Sequence, residues 1–202
     1  MKSVFGRRAA LRGAAVLAAA TALPPGTAEA AESGELTWLV PVAPLTPQRM
    51  RTRLLAGIPA VIEYGRPVTV GPVTVQAIGD EHLGMIIYAA GYQAVSAIVT
   101  ASVVVADARG LSGRLPITVT FPRTPVPTTQ AEFVLTGTAI LTGTPVLPSA
   151  RNPGVTTIAL DPDPAAVLTF YRRGSGAPTE VTGAPRLNPA QQDTVVARIE
   201  VR

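Results

Sequence analysis

Arg49, Arg51 and Arg53 alternate with Met50, Thr52 and Leu54, so a strand through this stretch would set three guanidiniums on one face. Guanidinium groups bind carboxylate and phosphate through paired N–H donors, which makes the row a candidate contact for an anionic envelope polymer or an acidic partner. The competing structural reading is charge placed on an edge strand to discourage sheet-to-sheet pairing. Arg172-Arg173 is a second, weaker basic pair at a loop. The Gly174-Ser175-Gly176 that follows is too short to cradle a phosphate and lacks the Gly-Lys-Ser/Thr ending of a P-loop.

Other chemistry is constrained by what the chain lacks. His82 is the sole histidine, so a nucleophile–His–acid triad would have to use it, yet no Gly-x-Ser-x-Gly elbow accompanies it. One histidine and no cysteine cannot furnish the usual zinc ligands, and no metal or other cofactor is expected. Asp161-Pro162-Asp163 could offer oxygens to calcium, but no EF-hand loop surrounds it and the alternating prolines read more simply as a rigid turn. Glu63, Glu132, Glu180 and Glu200 could in principle pair across a groove as in a glycosidase; none is flanked by an aromatic cluster. Trp38, Tyr64, Tyr88, Tyr92 and Tyr171 could stack a sugar, although core packing or single exposed tyrosines is the simpler reading.

The elements that would position these residues are strands. Leu115, Ile117, Val119 and Phe121 alternate with Pro116, Thr118 and Thr120, and Pro122, Pro125 and Pro127 follow; the stretch reads as a buried strand running into a proline-spaced connector between two half-sets of strands. Ala94–Ala106 has one wholly apolar row, Val95, Ala97, Val99, Ala101, Val103 and Val105, and is expected to be a central strand pairing antiparallel with Leu115–Phe121. Further strands are expected near 35–40, 49–55, 60–63, 67–70, 73–78, 132–141, 155–160, 166–171 and 194–201. Gly137 interrupts the row Phe133, Leu135, Ala139, Leu141 as a bulge or a close approach. One segment has helical spacing: Leu83, Ile86, Ile87 and Ala90, with Asp80 placed to cap and Gly91 to stop. That short helix is expected to plug one open end of the fold. Nine or ten short strands without helix–strand alternation imply an all-β sandwich or barrel in one domain.

Residues 1–30 read as an export signal. Lys2, Arg7, Arg8 and Arg12 form a basic region, Ala14–Leu23 an apolar one, and Ala28-Glu29-Ala30 a small-x-small cleavage site; Arg7-Arg8 fits either a twin-arginine or a general secretory signal. Cleavage changes the charge argument. The whole chain has 17 basic and 13 acidic residues, net +4; loss of four basic residues and Glu29 leaves 13 against 12, or +1, and no case for nucleic acid. The absence of cysteine rules out disulfides and a lipid-anchored cysteine, so the 172 residues from 31 to 202 must be stabilised by packing, which a chain of that length can supply.

The order of these features resembles an actinobacterial secreted domain family of unknown function. The phrases that carry the likeness are GIPAVIEYGRPV (57–68), LPITVTFPRTPVP (115–127), FVLTGTA (133–139) and RLNPAQQDTVVARIEV (186–201). The resemblance implies an immunoglobulin-like antiparallel β-sandwich and no catalytic residues. It also implies a cysteine in the first strand and another shortly before the Leu-Asn-Pro phrase; this chain has Trp38 and Ala184 in those neighbourhoods. A tie between the chain ends would therefore be replaced by packing around Trp38, or the ends would be looser. The resulting expectation is a non-catalytic exported module, secreted or held at the cell envelope, that contacts a protein or polymer through strand edges and the row Arg49, Arg51, Arg53. A carbohydrate-binding module is the alternative and a secreted hydrolase the third reading.

Overall fold

The computed structural model describes residues 34–42, 45–55, 60–65, 73–141, 152–174 and 176–202. The export segment, the turn at 57–59 and the expected strand at 67–70 lie outside them. The described chain is all-β with one helix: β1 (Leu36–Val40), β2 (Gln48–Leu55), β3 (Val61–Ile62), β4 (Val73–Gly79), α1 (Leu83–Ala89), β5 (Tyr92–Ala106), β6 (Ser112–Pro125), β7 (Phe133–Leu141), β8 (Gly154–Leu160), β9 (Ala165–Arg172), β10 (Thr179–Gly183), β11 (Arg186–Leu187) and β12 (Val195–Val201). Two of these strands, β10 and the two-residue β11, are not among those expected, because they carry no apolar alternation that the sequence could announce.

The strands form one curled, mixed sheet in the order β11-β1-β2-β4-β7-β6-β5-β8-β12-β3. Strand β9 pairs the first part of β5, and β10 pairs β9. Only β12 and β3 run parallel among the described pairs. The sheet bends into a half-barrel, and β6 sits where the two half-sets join: β7 on one side, β5 on the other. The expected antiparallel partnership of β5 and β6 is present, and β5 is central, with β6 along one side and β9 and then β8 along the other.

Two expectations are corrected. Pro122 and Pro125 do not end the ladder, since β6 stays paired with β5 as far as Pro125. Beyond Thr120 no β7 residue pairs with β6, so that side of the strand needs no N–H donors and tolerates proline. Between Ala97↔Phe121 and Val95↔Thr124 the register shifts, and the extra residues Pro122 and Arg123 form a bulge that bends the strand. Second, β2 is not an edge: β1 and β4 flank it, so its arginines are not there to protect an unpaired strand.

Helix α1 closes one end of the half-barrel. Asp80 Oδ1 accepts the backbone N–H groups of His82 (3.0 Å) and Leu83 (2.8 Å), satisfying donors that the first turn leaves free. Gly91 stops the helix at φ +95°. Leu83 and Ile87 enter the core beside Tyr92, Phe133 and Phe170, while Ile86 and Ala90 of the same spacing stay exposed. The helix lies close because Gly79 and Gly84 lack side chains; a Cβ on Gly84 would come 2.9 Å from Pro127 Cδ. At the sheet edge, where the family likeness implies a disulfide, β11 pairs with β1 at Trp38↔Leu187 and Leu39↔Arg186. The Gln192 amide then brackets Thr37, accepting its N–H at 2.8 Å and donating to its carbonyl at 2.7 Å.

Candidate functional site

Inside the half-barrel the inward rows form one core that leaves a gap at mid-strand. In β5 they run Val95 and Ala97, both buried, then Val99 and Ala101, both half-buried, then Val103 and Val105, buried again. The loss of burial in mid-strand, on the inward side, marks a cavity of about 110 Å³ that is half-enclosed by the sheet. Small side chains create it: Ala77 of β4, Ala97 and Ala101 of β5 and Ala166 of β9 all line the space. Gly34, just before β1, is exposed, while every other lining residue is buried or half-buried.

The wall is chemically uniform. Trp38 and Thr52 are the lining residues with a hydrogen-bonding side chain, and they satisfy each other, Trp38 Nε1 donating to Thr52 Oγ1 at 2.9 Å. No buried side-chain polar atom among the described residues lacks a partner. A molecule in this space would find dispersion contacts and no free donor, acceptor or titratable group. Apolar cavities of this kind stay dry, and one of about 150 Å³ is enough to hold a benzene ring.

The arginine row is placed on the outer face of β2, and two of its members are already engaged. Arg51 pairs with Glu132 and, at 3.4 Å, with Glu35; Arg53 Nε meets the other Glu35 oxygen at 2.8 Å. The hydrogen bond from Arg53 is the main cause that holds the Glu35 carboxyl below its ordinary value; burial opposes it, and the charges of Arg51 and Arg53 add to it. Arg49 is exposed and has no ion pair among the described residues. The row is thus a half-neutralised network, with one guanidinium left to reach outward.

The remaining candidates are dispersed. His82 is exposed at the start of α1 and donates only its backbone N–H to Asp80. Asp161 is buried, accepts the Asp163 N–H at 3.3 Å and pairs with Arg114 at 3.0 Å, which fixes the turn between β8 and β9. Among the described residues no group of three histidine or acidic side chains could hold a metal ion. Glu132 pairs with Arg51 and Glu200 with Arg202. Of the aromatic residues, Trp38 and Tyr92 are buried, Tyr88, Tyr92 and Tyr171 lie under arginine side chains, and Tyr64 alone of the tyrosines is strongly exposed. No shared sugar-stacking plane forms from them.

Sequence reasoning missed the cavity. Its signal was present as alanines at alternate positions of rows otherwise made of valine and leucine, but alternation reports which way a side chain points and not what lies opposite. Among the described residues no helix is long and apolar enough to cross a membrane. The chain matches no protein-family model and no curated protein.

Proposed function

We propose that this protein is a non-catalytic, exported binding module that holds a small apolar ligand, or the apolar end of a larger one, inside the half-barrel. The observation that supports this reading is the cavity, whose only polar side chains, Trp38 and Thr52, are bonded to each other. Burial of apolar surface is then the only affinity the site can offer, about 25 cal/mol per Å² removed from water. The hydrolase and sugar-binding alternatives have less support, since Glu132 and Glu200 are engaged by arginines and Tyr88, Tyr92 and Tyr171 lie under arginine side chains.

The immunoglobulin-like arrangement and the family resemblance belong to the same proposal. In that description β1-β2-β4-β7 and β6-β5-β9-β10 are two facing leaves, with Met50, Ala77 and Leu135 looking toward Ala97, Val119 and Leu168. Support comes from the short register that joins β6 to β7, from Ile117↔Leu141 to Thr120↔Thr138, against the much longer β5–β6 ladder.

Trp38 is the sole tryptophan and lines the cavity, so it reports occupancy directly. Bromobenzene should quench its fluorescence saturably. Ala101→Leu, which places a larger side chain in the space, should abolish saturation and raise stability by about 0.5–2 kcal/mol, the usual gain from filling a cavity. Saturable quenching of equal strength in the leucine variant would show that the ligand sits elsewhere.

A further inference from the structure

We propose a second site, independent of the cavity: Arg123, Arg172 and Arg173 form a docking surface for a linear phosphodiester polymer that carries no bases. Each guanidinium lies over a tyrosine ring, Arg123 at 4.2 Å from the centroid of Tyr171, Arg173 at 4.3 Å from Tyr88 and Arg172 at 5.6 Å from Tyr92. All three arginines are exposed, and none forms an ion pair among the described residues. This separates them from Arg51 and Arg53, whose charges are met by Glu35 and Glu132.

The fold gathers them at the α1 end. Strand β9 finishes with Tyr171 opposite Ala94 and Arg172 opposite Tyr92. The Arg173 N–H then donates to the Gly91 carbonyl at 2.9 Å, which brings its side chain beside Tyr88 of the helix. The bulge at Pro122-Arg123 turns Arg123 onto the Tyr171 ring. The platforms are fixed as well: Tyr171 Oη lies 3.2 Å from Ser96 Oγ, and the buried Tyr92 ring packs against Phe170 with centroids 5.3 Å apart.

A guanidinium held over a ring keeps N–H donors free and loses little freedom when it binds. Those donors fit phosphate oxygens in paired fashion. The three groups are exposed and do not line the cavity, which suits a chain of repeated charges and not one enclosed phosphate. The tyrosine faces are occupied by arginine and are closed to bases, so the ligand is read through its phosphates alone.

The test measures binding of the full chain to synthetic poly(glycerol phosphate) as salt is varied, beside monomeric glycerol phosphate at equal phosphate and a single-stranded oligonucleotide. With three phosphates neutralised, log affinity should fall against log salt with a slope of about −2, roughly 15-fold between 50 and 200 mM. The variant Arg123→Gln/Arg172→Gln/Arg173→Gln should lose that slope and bind at least tenfold more weakly, while Arg49→Gln should bind as the native chain does. The corresponding triple Arg→Lys variant keeps the charge without the planar fork; it should fall between the two, and it serves as the decisive variant if the glutamine chain does not fold. An unchanged slope in the triple glutamine variant, native affinity in the triple lysine variant, equal loss in Arg49→Gln, equal affinity for the monomer, or tighter binding of the oligonucleotide would each overturn the proposal.

Discussion

The end of the half-barrel under α1 and its middle are built from the same strands with the same alternation, yet one is packed and the other is hollow. Under the helix the inward positions carry Phe133, Phe170, Tyr92, Leu83 and Ile87, none more than 5% exposed. Farther along the sheet the inward positions become Ala77, Ala97, Ala101 and Ala166, and a cavity opens among them. Periodicity assigns a residue to the inside; side-chain volume decides whether the inside is filled. The two regions should therefore answer opposite substitutions in opposite directions.

The largest contrast is expected from truncation. Phe170→Ala removes a ring that is 1% exposed and tilted against Tyr92, and should cost about 3–5 kcal/mol in a denaturant titration. An effect below about 1 kcal/mol, the size of a typical surface change, would mean that the α1 end is no better packed than the cavity. Enlargement gives the next effect. Gly137 belongs to the inward row of β7, where a Cβ would come 2.7 Å from Phe121 Cδ1 and 2.8 Å from the Thr120 carbonyl oxygen. Gly137→Ala should destabilise by about 1–3 kcal/mol, because a backbone oxygen cannot step aside as a side chain can. Ala101→Leu, in the hollow region, should do the reverse. If both enlargements destabilise equally, the cavity is not available space.

The sequence was most informative where the period of two is unbroken. Strands β4, β5, β7 and β12 fall close to their expected bounds, and Asp80 and Gly91 marked the two ends of the one helix because a cap and a stop are local chemistry. It was least informative about pairing. Nothing local to Arg49–Arg53 reveals that β1 and β4 flank β2, or that Glu35 and Glu132, far apart in the chain, converge on Arg51. The proline stretch misled for a related reason: whether Pro122 breaks a ladder depends on whether a neighbour needs its N–H, and that neighbour is absent beyond Thr120. Gly137 was legible as a special position, and the unbroken β4–β7 register assigns it to close approach and not to a bulge. The stacked arginines were visible only in part, since Arg172-Arg173 stood out as a charged pair while Arg123 was hidden among prolines until a bulge turned it toward Tyr171.

The smallest effect separates the two regions by pH. Glu35 precedes β1 at the cavity wall, and its carboxyl is held below the ordinary value of 4.5, first by the hydrogen bond from Arg53 and then by the charges of Arg51 and Arg53. A carboxylate whose value is lowered by folding contributes its stability in full above its unfolded value, and loses it as pH falls through the folded value. Acid should therefore loosen the β1 side of the cavity. Amide hydrogen exchange, corrected for the intrinsic pH dependence of exchange, should show Leu36–Val40 losing protection below about pH 4.5. Leu83–Ala89 lies outside the Glu35 ion pairs and has no acidic residue in its first turn, so its protection should not follow the Glu35 step. Glu35→Gln keeps a hydrogen-bond acceptor for Arg53 and removes the titration, so the Leu36–Val40 protection should become nearly flat over the same range. If the glutamine chain still loses β1 protection in step with the native one, the acid response belongs to another carboxylate, and the wall of the cavity is not held by the Glu35 network.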